Sequence, residues 1–322
     1  MAEQIPTNSN WQGNVLEKIL LENLKEQKRK RRWGIFFKLI YLCIIVSILL
    51  AVTNNNSSST SGNKLKAHTA LINIDGDIMD GANASADNIV PSIDNAFNDE
   101  KTVALILKIN SPGGSPVQAA YVYDEIMRQR QLHPNVKVYA VCTDLCASAA
   151  YYIASSANQI YANPSSLVGS IGVLMNGFGF VDTLQKLGVE RRLITSGSEK
   201  GFLDPFSPMS PEDRGYAQTM LDLVHKQFIQ AVENGRGKRL KQSPLLFSGL
   251  AWTGAQAYEM GLIDGFGSSA YVAREVIHNT NVVDYTKKQS VFDQFGDQVG
   301  ASFAHHLAEN LGLAPGVVAQ GG

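Results

Sequence analysis

The chain has 322 residues, 44% of them hydrophobic and 18% charged, and a formal net charge of −1. That balance is ordinary for a globular protein: it allows a sizeable core in one large domain or two modest ones and argues against a general nucleic-acid binder. Charge is local instead, with Lys25, Lys28, Arg29, Lys30, Arg31 and Arg32 standing directly before an apolar run at 34–52 that only Lys38 interrupts.

Ahead of that run, Val15, Ile19, Leu20 and Leu24 recur at helical spacing and predict a short amphipathic helix in segment 1–33. The run approaches the ~20 residues that cross a bilayer as a helix, and Lys38 lies near its basic end, where it can snorkel. It predicts one N-terminal transmembrane anchor. The basic block then stays cytoplasmic, and the chain beyond Val52 lies across the membrane. A cleaved signal peptide competes with this reading, but the segment ahead of the run is long for a signal n-region and no small-x-small site follows it. Cys43 lacks the small neighbours of a lipidation signal and reads as a packing residue. Residues 53–66, rich in Asn and Ser, predict a flexible linker.

From residue 67 onward, β-rich runs alternate with helical stretches. Strands are predicted at 68–74 and 103–109, the second nearly all apolar, as for a strand buried on both faces. Asn110-Ser111-Pro112-Gly113-Gly114 follows, then a helix at 117–130, a strand at 137–143 and a helix opening at Ser148. This succession predicts an α/β architecture with a mostly parallel sheet. Further strands are expected at 159–162, 170–174 and 189–195, with a helix at 181–187. Ser210-Pro211-Glu212-Asp213 reads as a helix start, with the helix running to about Asn234. The segment 252–264 predicts a short helix closed by Gly261. Residues 286–322 read as a partly helical tail.

Cys142 and Cys146 stand four positions apart without the further ligands of a zinc site. A disulfide so local would constrain little of the unfolded chain, and both read as core thiols.

Ser148 opens a helix directly after a strand, where unpaired backbone N–H groups face any developing negative charge. A small-residue helix packed on a sheet is the plainer reading. A nucleophilic serine needs a base, yet the six histidines fall on expected helix surfaces, loop ends or the terminal tail, and no Gly-x-Ser-x-Gly elbow occurs. Lys200 is the better candidate: it must lose its proton, and Phe202, Leu203, Pro205 and Phe206 are the residues to desolvate it. A solvated loop lysine is the alternative. Gly113 and Gly114 let backbone amides approach a substrate closely, although a tight turn explains them equally.

Several motifs in this order resemble the signal peptide peptidases of the SppA type, serine peptidases of the Clp protease/crotonase-like fold. They are Ile74-Asp75-Gly76-Asp77-Ile78, Asn110 to Gly114, Cys146-Ala147-Ser148, Gly169-Ser170-Ile171-Gly172-Val173, the 196–200 loop and segment 252–264. The resemblance is to the short form with one catalytic domain. It implies a peptidase domain at 67–285 built of repeated ββα units, with Ser148 as nucleophile and Lys200 as general base. Ser170 would orient the lysine, and the Gly114 and Ala149 amides would serve as oxyanion donors. One departure is visible: the family reads Ser-Gly-Gly where this chain has Ser148-Ala149-Ala150, which puts the pocket shape in question. The resemblance further implies no cofactor or metal, apolar remnant signal peptides as substrates, and a homo-oligomeric ring in which Ser148 meets Lys200 of a neighbour. It also implies a bacterial inner-membrane location, with membrane lipid as a partner and the catalytic domain extracytoplasmic. A catalytically silent scaffold on the same fold and an acyl-CoA enzyme of the crotonase type are the competing functions.

Overall fold

The structure is a computed structural model that describes residues 9–55 and 62–287. Its first unit is one helix, α1 (Ser9–Asn55), so the amphipathic stretch, the basic block and the start of the apolar run are continuous rather than separate pieces. Trp33, Phe36 and Phe37 pack on one another directly after the basic block, at centroid distances of 5.6 to 5.9 Å. Among the described residues, no helix is long and apolar enough to cross a membrane. The side chains of 48–52, the far end of the expected anchor, lie outside the described residues, as do linker residues 56–61 and tail residues 288–322.

The second unit is a mixed α/β fold around a mostly parallel sheet, which fits the Clp/crotonase-like expectation. Strands β1 (His68–Asp75), β2 (Thr102–Ser111) and β3 (Lys137–Ala147) form its centre. Both β4 (Gln159–Ala162) and β5 (Leu167–Gly169) pair with β3, one further along the strand than the other. At the margins, β6 (Ala251–Thr253) pairs with β5, β7 (Gly265–Phe266) with β4 and β8 (Val282–Asp284) with β1. Every pairing is parallel except β5 with β6.

Helices α2 (Ala86–Phe97), α3 (Pro116–Leu132) and α4 (Ala149–Ser155) connect and cover the central strands. After them come α5 (Val181–Lys186), α6 (Pro211–Arg236), α7 (Gly254–Glu259) and α8 (Ser269–Tyr271), which runs on into a π turn at Val272–Val276. The apolar run of β2 is buried on both faces: Leu105, Leu107 and Ile109 belong to the core shared with Ile93, Val122, Ile126 and Ile153, while Ile106 meets Val272 and Ala273. Each such side chain contributes about 1.5–3 kcal/mol relative to exposure.

Local signals set several helix ends. Ser115 caps α3 with Pro116 behind it, and α6 starts with the expected Ser210 and Asp213 capping box. At its other end α6 is held by Arg236. This fully buried guanidinium donates to Asp264 at 2.6 and 3.0 Å and to the Gly261 carbonyl. Asp264 also accepts from the Ile160 amide at 2.7 Å, which ties segment 252–264 to β4.

Two expectations need correction, and one helix was missed. The strand expected at 170–174 ends instead at Gly169, because Gly169 (φ 99°) and Ser170 (φ 51°) turn the backbone out of the β region. No strand forms at 189–195: Val189, Leu193 and Ile194 are exposed, and β-prone residues without a neighbouring strand satisfy no ladder. Helix α2 was not expected, because Pro91 sits inside it and masks the apolar period of Ala86, Ile89, Ile93 and Ala96.

Candidate active site

β3 reaches its end through a bulge. Ile109 of β2 pairs with Cys142, but Ser111 pairs with Cys146, so β3 carries extra residues between the two cysteines. Thr143 Oγ1 donates to the Ile109 carbonyl at 3.1 Å, and the Leu145 amide donates to Asn110 Oδ1 at 3.3 Å, which fixes the bulge against β2. Bulges of this kind re-aim the end of a strand. Ser148 stands just past that end, at φ 54° and ψ −125°, immediately before α4.

Positive φ at a non-glycine residue costs energy that the surroundings must supply. Here the Ser148 amide donates to the Gly169 carbonyl at 2.8 Å, and its carbonyl accepts from the Tyr152 amide at 3.0 Å. Behind it, α4 is almost wholly buried, and Gly235 of α6 lies so close to the Ser155 carbonyl that a side chain there would collide. The Ser148 hydroxyl makes no capping bond and is left for other chemistry.

The Gly113-Gly114 turn is pressed onto this junction. A Cβ at Gly113 would stand 2.7 Å from Ser148 Cβ and 2.9 Å from the Ala149 nitrogen. Gly113 and Gly114 have φ of 107° and 145°, which favour glycine. Ile78 bridges the turn: its amide donates to the Gly113 carbonyl at 2.8 Å, and its carbonyl accepts from the Ser115 amide at 2.7 Å. Ser111 Oγ accepts from the Gly113 amide at 3.1 Å. Among the described residues, the Gly114 and Ala149 amides donate to no acceptor.

Ser170 stands next to Gly169, so the Ser148 to Gly169 bond brings the two serines to one junction. Its amide donates to the Leu250 carbonyl at 2.9 Å and its hydroxyl to the Gly249 carbonyl at 3.1 Å, leaving the hydroxyl lone pairs to accept. Lys200 is not gathered in with them by any bond among the described residues. It is exposed and forms no ion pair there. The aromatic residues expected to desolvate it pack elsewhere, Phe202 on Tyr216 and Phe206 on Phe180.

The profile of peptidase family S49 matches residues 130–283. A putative protease of Synechocystis is 31% identical over 199 residues, covering 62% of this chain and 69% of that protein. The chain belongs to peptidase family S49.

A putative signal peptide peptidase SppA of Enterococcus faecium is 29% identical over 182 residues, 56% of this chain and 52% of that protein. This agrees with the SppA type indicated by the motif order. A Brucella abortus protein named as a Na(+)/H(+) antiporter, NhaA, is 41% identical over 202 residues. That region is 61% of the S49 chain but 27% of the antiporter, so the chain spans about a quarter of that relative's length.

The family match takes in Ser148, Ser170 and Lys200 and begins after the Gly113-Gly114 turn. Ala149 and Ala150, which follow the serine, are 4% and 0% exposed and belong to the core. Cys142 and Cys146 are free and buried, as expected of core thiols, and burial, then contact with Cys142, pushes the Cys146 thiol well up.

Among the described residues, no histidine is hydrogen-bonded to Ser148. His225 meets the Ile171 carbonyl at 3.2 Å and His133 caps α3. His68 starts β1 as expected and is fully buried there, bonded to the Lys66 carbonyl and Tyr285 hydroxyl, both at 2.9 Å. His305 and His306 lie outside the described residues. Two groups that shape the turn, Ser111 and Ile78, had no role assigned from the sequence, although both stand inside the motifs that carried the resemblance.

Proposed function

We propose that this chain is a membrane-anchored serine endopeptidase that cleaves apolar peptides, remnant signal peptides foremost, through an acyl-enzyme on Ser148. The observation that carries the reading is Ser148 itself. It is held at φ 54° between a strand and a helix, its hydroxyl makes no capping bond, and the Gly114 and Ala149 amides at the same junction find no acceptor among the described residues. The peptidase and SppA names of the relatives support the same reaction class.

In this reading Ser148 Oγ attacks the scissile carbonyl carbon while neutral Lys200 Nζ takes its proton. The Gly114 and Ala149 N–H groups receive the oxyanion. Collapse of the tetrahedral intermediate expels the amine, which takes the proton from Lys200, and water then releases the acyl group by the same steps. Ser170, its own proton engaged by Gly249, accepts an N–H from Lys200 and orients it. No metal or cofactor takes part.

A lysine works as a base only when desolvation or nearby positive charge favours its neutral form. Lys200 is exposed in the single chain, and the surrounding segment exposes Leu174, Phe178, Ile194, Tyr216 and Leu223. An apolar surface of this extent favours association. We therefore assign the base to a neighbouring copy in a homo-oligomeric ring, whose assembly desolvates Lys200 beside the partner's Ser148.

The basic block, the aromatic cluster at Trp33 and the exposed apolar residues that follow support a membrane anchor at 34–52, and we propose that the membrane is a bacterial inner one. Residues 1–33 are then cytoplasmic and 53–66 the linker. The peptidase domain, 67–285, and the tail, 286–322, are extracytoplasmic.

A fluorophosphonate probe and casein digestion, applied to wild type and Ser148→Ala, test the reading. Labelling confined to wild type, with digestion lost in the variant, is expected. Absence of labelling at Ser148, or unchanged digestion by the variant, would favour the silent scaffold or the acyl-CoA enzyme.

A further inference from the structure

We propose that Ser111 is a positioning residue whose buried hydroxyl holds the oxyanion turn in its working orientation; the inference rests on Ser148 being the nucleophile.

Three consecutive amides follow Pro112. The Gly113 amide donates to Ser111 Oγ at 3.1 Å and the Ser115 amide to the Ile78 carbonyl at 2.7 Å, while the Gly114 amide donates to nothing described. The 113–114 peptide is planar and trans, so its carbonyl and its N–H point to opposite sides. With that carbonyl bound by the Ile78 amide at 2.8 Å, the Gly114 N–H is directed away from Ile78.

Among the described residues, the neighbouring 112–113 peptide has one polar tether, Ser111 Oγ. Glycine supplies no side chain to resist rotation, so hydrogen bonds must hold the turn. Ser111 is 0% exposed and Gly113 is buried, which shuts water out as a substitute acceptor. Without the hydroxyl, the Gly113 N–H is stranded, and rotation of its peptide is the available relief. That rotation shifts Gly113, which already stands against Ser148 Cβ and the Ala149 nitrogen. Both the donor and its distance from the nucleophile would change. Ser111 therefore acts through Gly113 and Gly114 rather than by touching substrate.

The test compares full-length wild type, Ser111→Ala and Ser111→Cys, whose sulfur is a weak acceptor. For Ser111→Ala, kcat on a peptide substrate should fall about 10- to 100-fold while KM stays within about twofold, because the donor matters chiefly in the transition state. A peptide boronate, which forms a tetrahedral adduct, should lose affinity about as much as kcat falls. Ser111→Cys should recover part of both losses.

Wild-type kcat and wild-type boronate affinity in Ser111→Ala would overturn the proposal, as would a raised KM with kcat unchanged. Should Ser111→Ala not fold, Ser111→Cys decides alone: reduced kcat at unchanged KM supports the role, and full activity overturns it. Fluorophosphonate labelling separates the two levels. An unlabelled wild type means the nucleophile reading has failed, whereas equal labelling rates for wild type and Ser111→Ala remove only the role of Ser111.

Discussion

The amide of Ser148 donates a 2.8 Å hydrogen bond to the carbonyl of Gly169, and the residue after Gly169 is Ser170, so one backbone bond joins two serines at positive φ. Ser148 has φ 54° and Ser170 φ 51°, and each follows directly on a strand, β3 and β5 respectively. A displacement of either strand end moves both hydroxyl groups. The site is thus built on paired strand termini, which resist small shifts better than a free loop would.

Strain at Ser148 can be measured through its replacements. A non-glycine residue in this conformation costs on the order of 1–3 kcal/mol, partly offset in glycine by its greater freedom when unfolded. Ser148→Gly should therefore be at least as stable as Ser148→Ala in chemical denaturation, although both are expected to be inactive. A clearly more stable alanine variant would contradict the strained backbone.

Gly113→Ala should be far more damaging than an ordinary glycine replacement. Its Cβ would stand 2.7 Å from Ser148 Cβ at a φ of 107°. We expect a loss of about 10²- to 10³-fold in kcat from the displaced donors and about 1–3 kcal/mol in stability from overpacking. Gly215→Ala in α6 is the control, since a Cβ there meets nothing within 4 Å. It should be neutral or stabilise by about 0.5–1 kcal/mol.

If the base comes from a neighbouring copy, inactive chains can complement one another. Ser148→Ala and Lys200→Ala should each be inactive alone. Co-assembled, they should regain a fraction of wild-type proteolysis, because some junctions then pair an intact Ser148 with an intact Lys200. Complete inactivity of a mixed oligomer, shown to contain both chains, would place the dyad within one chain or remove it.

The Arg236–Asp264 pair should make stability depend on acid. Burial alone would raise the Asp264 carboxyl, but hydrogen bonds and charge from Arg236, the Ile160 amide and Arg239 outweigh it and hold the group below its ordinary value of 3.8. A depressed carboxylate contributes stability above its unfolded pKa and loses it as pH falls through the lower folded value. Denaturation midpoints should therefore fall below about pH 4, with a shallower dependence in Asp264→Asn. At neutral pH Asp264→Ala should cost about 3–5 kcal/mol, since Arg236 is left buried and unpaired. A midpoint close to wild type would show that the pair is not needed.

Much of the fold was legible because its signals are local. The buried strands β1, β2 and β3 appear as apolar runs, and Ser210-Pro211 announces α6 in the cap itself. The errors have equally local causes. Pro91 hides the period of α2, and Val189, Leu193 and Ile194 look like a strand although they pair with no strand among the described residues.

For the site, the sequence by itself determined the order of strands and helices, the serine at the end of β3 and the glycine turn at the end of β2, because each is written in neighbouring residues. It also carried the family motifs. Only the tertiary structure decided that Gly113 is pressed against Ser148 and Ala149, that the Gly114 amide finds no acceptor among the described residues while Ser111 and Ile78 bind its neighbours, and that Lys200 stays exposed. The relations between the glycine turn and Ser148 depend on the register of β2 against β3 and on the bulge between Cys142 and Cys146. Register is a property of two strands packed together, and no periodicity within either one encodes it.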